Sequence, residues 1–288
     1  MIRILLISLS IFLFLACQTA QTQQTASSEI VCQLADSTKF QSVVNKLADE
    51  AGQPMGQLVA AVGREFLGVA YEEQTLEHGI DEPLTIELEG LDCTTFAETA
   101  LAIARTLKSK NPDFSTYIGE LENLRYRQGQ RDGYLSRLHY FSDWIYDNEQ
   151  KGLISQAANE FGQPLNVMVN FMSTHPESYP VLKENPELVS SLAEQEKAIS
   201  ARNYFFVPKE AVESKESNLK EGDLVGLATS IKGLDVTHVG ILVEVGGRIH
   251  LMHASTAGMQ VVISDEPLAD FLQAKKSYTG ILVARPID

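Results

Sequence analysis

The stretch "THVGILVEVGGRIHLMHAS", residues 237–255, decides how this chain is read. Two runs rich in Val, Ile and Leu flank Gly246 and Gly247. Paired glycines suit a two-residue hairpin, whose central residues both need positive φ. Folding about that turn sets one run antiparallel to the other. His238 and His253 then sit on adjacent strands and can share a face, whereas His250, three positions before His253, points to the other face. Only one of His250 and His253 can join His238, and the spacing alone leaves the choice open.

Working outward, "GDLVGLAT" (222–229), "MQVVIS" (259–264) and "TGILVARP" (279–286) add three more short runs, so the C-terminal part predicts a mainly antiparallel sheet. The part before it is helical in pattern. "STKFQSVVNKLADEAG" (37–52) opens on a capping hydroxyl and ends in glycine. "QPMGQLVAAVGREFLG" (53–68) carries Pro54 in its first turn and Leu58, Val62 and Phe66 at four-residue spacing. "DCTTFAETALAIARTLKSKNP" (92–112) repeats that spacing at Phe96, Ala100 and Ala104 and stops before Pro112. "YLSRLHYFSDWIYDN" (134–148) reads as an amphipathic helix, and residues 173–200 as helical beyond their prolines. "VAYEEQTLEHG" and "DEPLTIELEG" are loop and short extended pieces. Helices first and an antiparallel sheet last make an α+β chain.

A formal net charge of −15 argues against nucleic acid as a partner, since that binding needs a basic stripe. The N-terminus differs from the rest. "MIRILLISLSIFLFLAC" has an early cation, Arg3, then an apolar run from Ile4 to Ala16 that is too short for a membrane span of about 20 residues. Ala16 before Cys17 resembles the lipobox of bacterial lipoproteins, in which the cysteine is lipidated and becomes the first residue. The polar run that follows reads as a flexible tether. The expected organisation is a signal peptide over 1–16, a tether over 17–28, and a single catalytic domain over 29–288 with a helical insert at about 112–207. The expected location is the exported, periplasmic or cell-envelope side, with the membrane a partner through a lipid anchor on Cys17.

Two cysteines remain. Cys32, beside the tether, is expected to be a buried small hydrophobe rather than half of a disulfide. Cys93 stands at the head of a predicted helix, where unpaired N–H groups and the positive dipole end favour a thiolate and can hold an oxyanion. Asp92 before it is placed to cap that helix or to help position a substrate. Arg137, His139, Tyr140 and Trp144 fit a sugar-binding wall and core packing equally well. A zinc site would need a third ligand beside His238 and His253, and none is apparent, so no metal and no cofactor is expected.

"LDCTTF", "THVGIL" and "IHLMHAS", in that order, resemble the nucleophile, base and orienting residue of NlpC-type papain-like cell-wall cysteine hydrolases. More closely, "YEEQTLE", "LDCTTFAE", "SRLHYFSDWIYDN", "THVGILVE" and "HAS" resemble the N-acetylmuramoyl-L-alanine amidase-like branch. The resemblance implies a papain-like core with Cys93 as nucleophile, His238 as base and His253, through its "HA" element, as orienting residue. It also implies Tyr71 and the Cys93 N–H as the oxyanion hole, although Ala70 stands where the family usually has proline. The implied reaction is hydrolysis of the amide between N-acetylmuramic acid and L-alanine in peptidoglycan or muramyl peptides. The alternatives are a stem-peptide endopeptidase, a non-catalytic cell-wall-binding lipoprotein, and acyl transfer to or from lipid.

Overall fold

The structure is a computed structural model that describes residues 29–288, so the signal peptide, Cys17 and the tether lie outside the described residues. Eleven helices are found among these residues: α1 (Leu34–Leu47), α2 (Met55–Arg64), α3 (Cys93–Lys108), α4 (Phe114–Arg125), α5 (Phe141–Gln150), α6 (Ala158–Phe161), α7 (Phe171–Thr174), α8 (Pro180–Glu184), α9 (Leu188–Ser200), α10 (Lys209–Lys215) and α11 (Leu268–Gln273). The strands are β1 (Ile30–Val31), β2 (Ala70–Tyr71), β3 (Leu84–Thr85), β4 (Gly90–Leu91), β5 (Ile154–Gln156), β6 (Gln163–Leu165), β7 (Tyr204–Pro208), β8 (Leu224–Thr229), β9 (Val236–Val245), β10 (Arg248–Ser255), β11 (Gln260–Pro267) and β12 (Tyr278–Pro286).

A curled sheet runs β4-β2-β11-β10-β9-β8-β12-β7-β6, with β5 also paired to β12. Its centre is the five strands expected from the C-terminal runs. The β9–β10 turn is as predicted: Val245 pairs with Arg248, and Gly246 and Gly247 take φ of 60° and 81°. What the C-terminal runs do not supply is the rim. There β2 and β4 from the upstream loops pair parallel, Tyr71 opposite Leu91. Along β9 the side chains alternate. Val239, Ile241 and Val243 join the core shared with α1–α5, while Leu242 joins a second core with α10 and α11. A third cluster packs the segment between α5 and β7 against Tyr134 and Tyr140.

Three local expectations are corrected. Helix α1 starts at Leu34, before the expected hydroxyl cap, because Asp36 holds its start from two sides. Its Oδ2 accepts from Gln33 N at 2.7 Å and its Oδ1 from Leu88 N at 2.8 Å. Helix α5 starts only at Phe141, so Arg137, His139 and Tyr140 are not on it. Extended backbone claims them instead: Arg137 bridges Tyr126, and Leu138 N donates to Arg125 O at 3.0 Å. Asp235, remote in sequence, then accepts from Ser142 N in the first turn of α5 at 2.7 Å. Finally, Cys32 is exposed rather than buried, and both described cysteines are free thiols.

Candidate active site

Helix α3 starts on a capping box. Asp92 Oδ1 accepts from Thr94 N (2.9 Å) and Thr95 N (2.7 Å), and Thr95 Oγ1 accepts from Asp92 N (2.9 Å). Asp92 is therefore spent on the cap, worth about 1 kcal/mol, and its carboxylate closes over the N–H groups that would otherwise face a ligand. Cys93 is the first helical residue and is partly buried against the core.

The helix end does not make this thiol acidic. Burial, then the Asp92 charge, push the Cys93 thiol up to about 12, against the pull of the Val239 N–H, the Thr94 side chain and its own N–H. The expected dipole effect is thus outweighed by desolvation and by a carboxylate one residue away.

His238 and His253 meet as the hairpin predicts, but diagonally. Met252 pairs with Ile241, which sets His253 across from Gly240, two residues along from His238. Their rings are perpendicular, 4.7 Å between centroids, and His238 Nε2 lies 2.6 Å from His253 Nδ1. Gly240 has a packing reason: a Cβ there would come within 2.6 Å of Leu251 Cδ1, 2.8 Å of Met252 O and 3.2 Å of His253 Cβ. Phe271 of α11 covers His253 edge-on at 5.5 Å. Burial, then the neighbouring His253 and Lys275, hold His238 down at about 3, and burial, then Lys275, hold His253 at about 4. At neutral pH both rings are uncharged, so one proton is shared along the Nε2···Nδ1 contact. His250 is elsewhere, with Nδ1 2.8 Å from Ser264 O. The choice between His250 and His253 as the neighbour of His238 is thereby settled by geometry.

Tyr71 is held by its strand within electrostatic reach of Cys93, but it does not line the cavity on which Cys93 and His238 open. The β2–β4 ladder sets it opposite Leu91, two residues before Cys93, and its N–H donates to Met259 O at 3.0 Å. Burial first, then the charges of Cys93 and Asp92, push the Tyr71 phenol up to about 12, so it stays a proton donor over the neutral range.

A cavity of about 360 Å³ opens on Cys93 and His238, with Trp144, Tyr134, Tyr140 and Glu77 among its walls. A second, of about 450 Å³, is lined by both His238 and His253, with Lys275 on its wall. Of the four substrate-contact candidates, Tyr140 and Trp144 line the first cavity. Tyr140 is tied down, its hydroxyl donating to Glu196 Oε1 at 2.6 Å and accepting from Met172 N at 3.1 Å. Asp92 and Arg137 do not line it. Arg137 is a buried clamp between Glu77 (2.6 Å) and Glu82 (3.1 Å), with its guanidinium 5.0 Å over the Tyr134 ring. Glu77, Tyr134 and Asp235 are wall residues that the sequence did not single out, because each arrives from a different loop. Among the described residues, no group of three or more His, Cys, Asp or Glu is placed to hold a metal ion.

Comparison with known proteins gives the chain a family. The family model for N-acetylmuramoyl-L-alanine amidase-like proteins matches residues 61–281, which include Tyr71, Cys93, His238 and His253. An N-acetylmuramoyl-L-alanine amidase from Bacteroides uniformis superposes with a TM-score of 0.78 at 33% identity, covering 81% of this chain and 99% of that one. A Bacteroides fragilis protein that carries the description of a xylanase superposes at 0.74, with 38% identity over 77% of this chain and 98% of that one. A Legionella pneumophila protein, 19% identical, shares the fold at a TM-score of 0.67, covering 88% of this chain and 95% of that one. No curated protein matches the sequence. By the match over residues 61–281 and the Bacteroides uniformis structure together, this chain belongs to the N-acetylmuramoyl-L-alanine amidase-like family.

Proposed function

We propose that the chain is a papain-like cysteine amidase that hydrolyses the amide between the lactyl group of N-acetylmuramic acid and L-alanine in muramyl peptides or peptidoglycan fragments. The observation that carries this is the meeting on one cavity of Cys93, at the head of α3, with His238, itself hydrogen-bonded to His253.

The resting site is a neutral thiol beside a neutral imidazole, so the proton moves during attack. His238 Nε2 is engaged by His253, which leaves Nδ1 as its basic atom. For Nδ1 to be unprotonated, Nε2 must carry the hydrogen and donate it to His253 Nδ1, which fixes the tautomer of both rings. His238 Nδ1 takes the Cys93 proton as sulfur attacks the amide carbonyl. The Cys93 N–H and the Tyr71 hydroxyl donate to the oxyanion. The imidazolium then gives its proton to the leaving alanyl amine, and a water activated by His238 hydrolyses the thioester. His253 stabilises the transient imidazolium by accepting from it.

A glycosidase reading, raised by the Bacteroides fragilis description, fits the cavity poorly. Such enzymes use two available carboxyl groups flanking the bond. Of the cavity's two, Asp235 has both oxygens on backbone N–H groups, of Ser142 and Val236. The proposal also includes export and anchoring through Cys17.

The test is mass spectrometry of N-acetylmuramoyl-L-alanyl-D-isoglutamine incubated with the protein, beside a Cys93→Ala control. Intact dipeptide and free N-acetylmuramic acid, released by the wild type alone, are expected. Cleavage within the peptide would replace the proposal with an endopeptidase, and no turnover on this or on digested wall fragments would replace it with a binding protein or a lipid-directed enzyme.

A further inference from the structure

The 360 Å³ and 450 Å³ cavities have one lining residue in common, His238. Cys93 lines the first and not the second; His253 lines the second and not the first. A molecule in the second cavity therefore touches the histidine pair without taking up the space beside the thiol. The reaction proposed above uses the first cavity and leaves the second without a role.

Three groups on the wall of the second cavity can donate: His253, Ser255 and Lys275. His253 is 6% exposed, and its hydrogen bond joins Nδ1 to His238, so Nε2 has no partner among the described residues. In the tautomer that leaves His238 Nδ1 bare for the thiol, His253 carries its hydrogen on that Nε2. Ser255 Oγ accepts from Gly258 N at 3.0 Å, which leaves its hydroxyl hydrogen to donate. Lys275 makes no ion pair among the described residues, and its ammonium lies 5.3 Å from the centre of the Tyr278 ring. A buried N–H without an acceptor is costly, so the inner end of this cavity calls for one.

The charges set what that acceptor is. Lys275 acts against the protonation of both rings, so its field reaches the pair. Asp265 and Glu266 also line the cavity, but neither is among the charges that act on either ring. The end of the cavity beside the pair is its cationic end. Val262, Phe271 and Tyr278 add an apolar wall, and about 450 Å³ leaves room for more than an anionic group alone.

We infer that the 450 Å³ cavity is an effector site for a small free carboxylate with an apolar tail, which accepts from His253 Nε2–H and Ser255 Oγ–H and pairs with Lys275. The anion extends the hydrogen-bonded line from His238 through His253 by one member. It offsets the Lys275 charge and favours the imidazolium that His238 forms during attack, so its binding raises turnover. The site itself rests on the geometry of the pair, and the gain in turnover rests on the amidase reading.

The first experiment needs no turnover. Butyrate is titrated into the full chain, with its histidine rings labelled with 15N and the ionic strength held constant by chloride. A saturable shift of the His253 and His238 resonances is expected. Their protonation midpoints should rise by about one pH unit, because the anion stabilises the charged rings. Butyrate should bind about tenfold more tightly than acetate through its extra methylenes. Lys275→Met should weaken binding about fivefold and Lys275→Arg should keep it; Lys275 is exposed, so neither change disturbs the core. No saturable shift, or equal affinity in Lys275→Met, overturns the inference. A saturable response to butylammonium and none to butyrate would assign the cavity to cations, through Asp265 and Glu266, and overturn it as well.

The second experiment reads kcat on N-acetylmuramoyl-L-alanine amide, which carries no carboxylate. Saturating butyrate is expected to raise it about tenfold, the size of one hydrogen bond to a charged group. Binding without a change in kcat overturns the effector role. Stimulation of this substrate but not of N-acetylmuramoyl-L-alanyl-D-isoglutamine, which has a carboxylate of its own, would give the site to the substrate and overturn the free effector. If neither substrate turns over, the amidase reading has failed and the binding experiment alone decides the site.

Discussion

Helix α3 buries polar groups at two places about a turn apart, and it treats them oppositely. At its start, Cys93 is a neutral thiol on a cavity shared with His238, which is itself neutral and hydrogen-bonded to His253. Five residues on, Glu98 is paired with a buried cation. Arg125 Nε donates to it at 2.8 Å, Arg125 Nη1 donates to Thr85 O at 2.7 Å, and both side chains are under 5% exposed. Burial works against the Arg125 charge, yet Glu98 and its neighbours outweigh that and hold the guanidinium protonated. The lesson is one of function divided along a single element. Where the helix has only to be held, charge is matched at once. At the cavity, the thiol and the histidine pair stay neutral.

The widest separation should come from single substitutions at the two places. Cys93→Ala is expected to abolish turnover, by about 10⁴-fold or more, with an unchanged melting temperature. Residual turnover within tenfold of wild type, at any stability, would place the chemistry elsewhere. Glu98→Ala should do the reverse, lowering stability by about 3–5 kcal/mol because it strands a buried guanidinium. Urea unfolding reads this directly, and kcat of the fraction still folded should stay near wild type.

His253 sharpens the comparison, since it is buried yet serves another side chain. His253→Ala should cost about 10²-fold in kcat, and His253→Asn, which can still accept from His238, should recover part of that. Equal losses in both would make His253 a packing residue only.

A further effect is read in acid. The folded state keeps His238 and His253 neutral down to about 3 and 4, while the unfolded chain protonates near 6.5. The unfolded state therefore binds more protons below about pH 6.5, and stability is full above that value and lost as pH falls. The slope is about 1.4 kcal/mol per pH unit for each histidine. Urea midpoints between pH 4 and 6.5 should flatten by about one such unit in His253→Asn and be unaltered by Cys93→Ala.

The centre of the sheet and the pairing of His238 with His253 were legible because they rest on period-two alternation and a Gly-Gly turn, both local signals. The start of α3 was legible for the same reason, through Asp92. Arg137, His139 and Tyr140 were misassigned to a helix because a tertiary bridge to Tyr126 overrode a good helical pattern. Cys32 was misplaced because composition ranks a cysteine as buried without knowing that β1 is a two-residue edge. Glu77 and Tyr134 lie inside quoted stretches, yet neither they nor Asp235 stand out there, since what joins them is the wall of one cavity and not any spacing along the chain.

The parallel pairing of β2 with β4 has a kinetic side. Tyr71 and Leu91 are ladder neighbours, and Glu72 N donates to Leu91 O at 3.2 Å. Adjacent strands hold a backbone spacing of about 4.8 Å, so the Tyr71 strand and the first turn of α3 can part only by breaking this short ladder. Amide protons of Glu72 and of the first turn of α3 should then exchange with solvent in one concerted opening event rather than at separate rates.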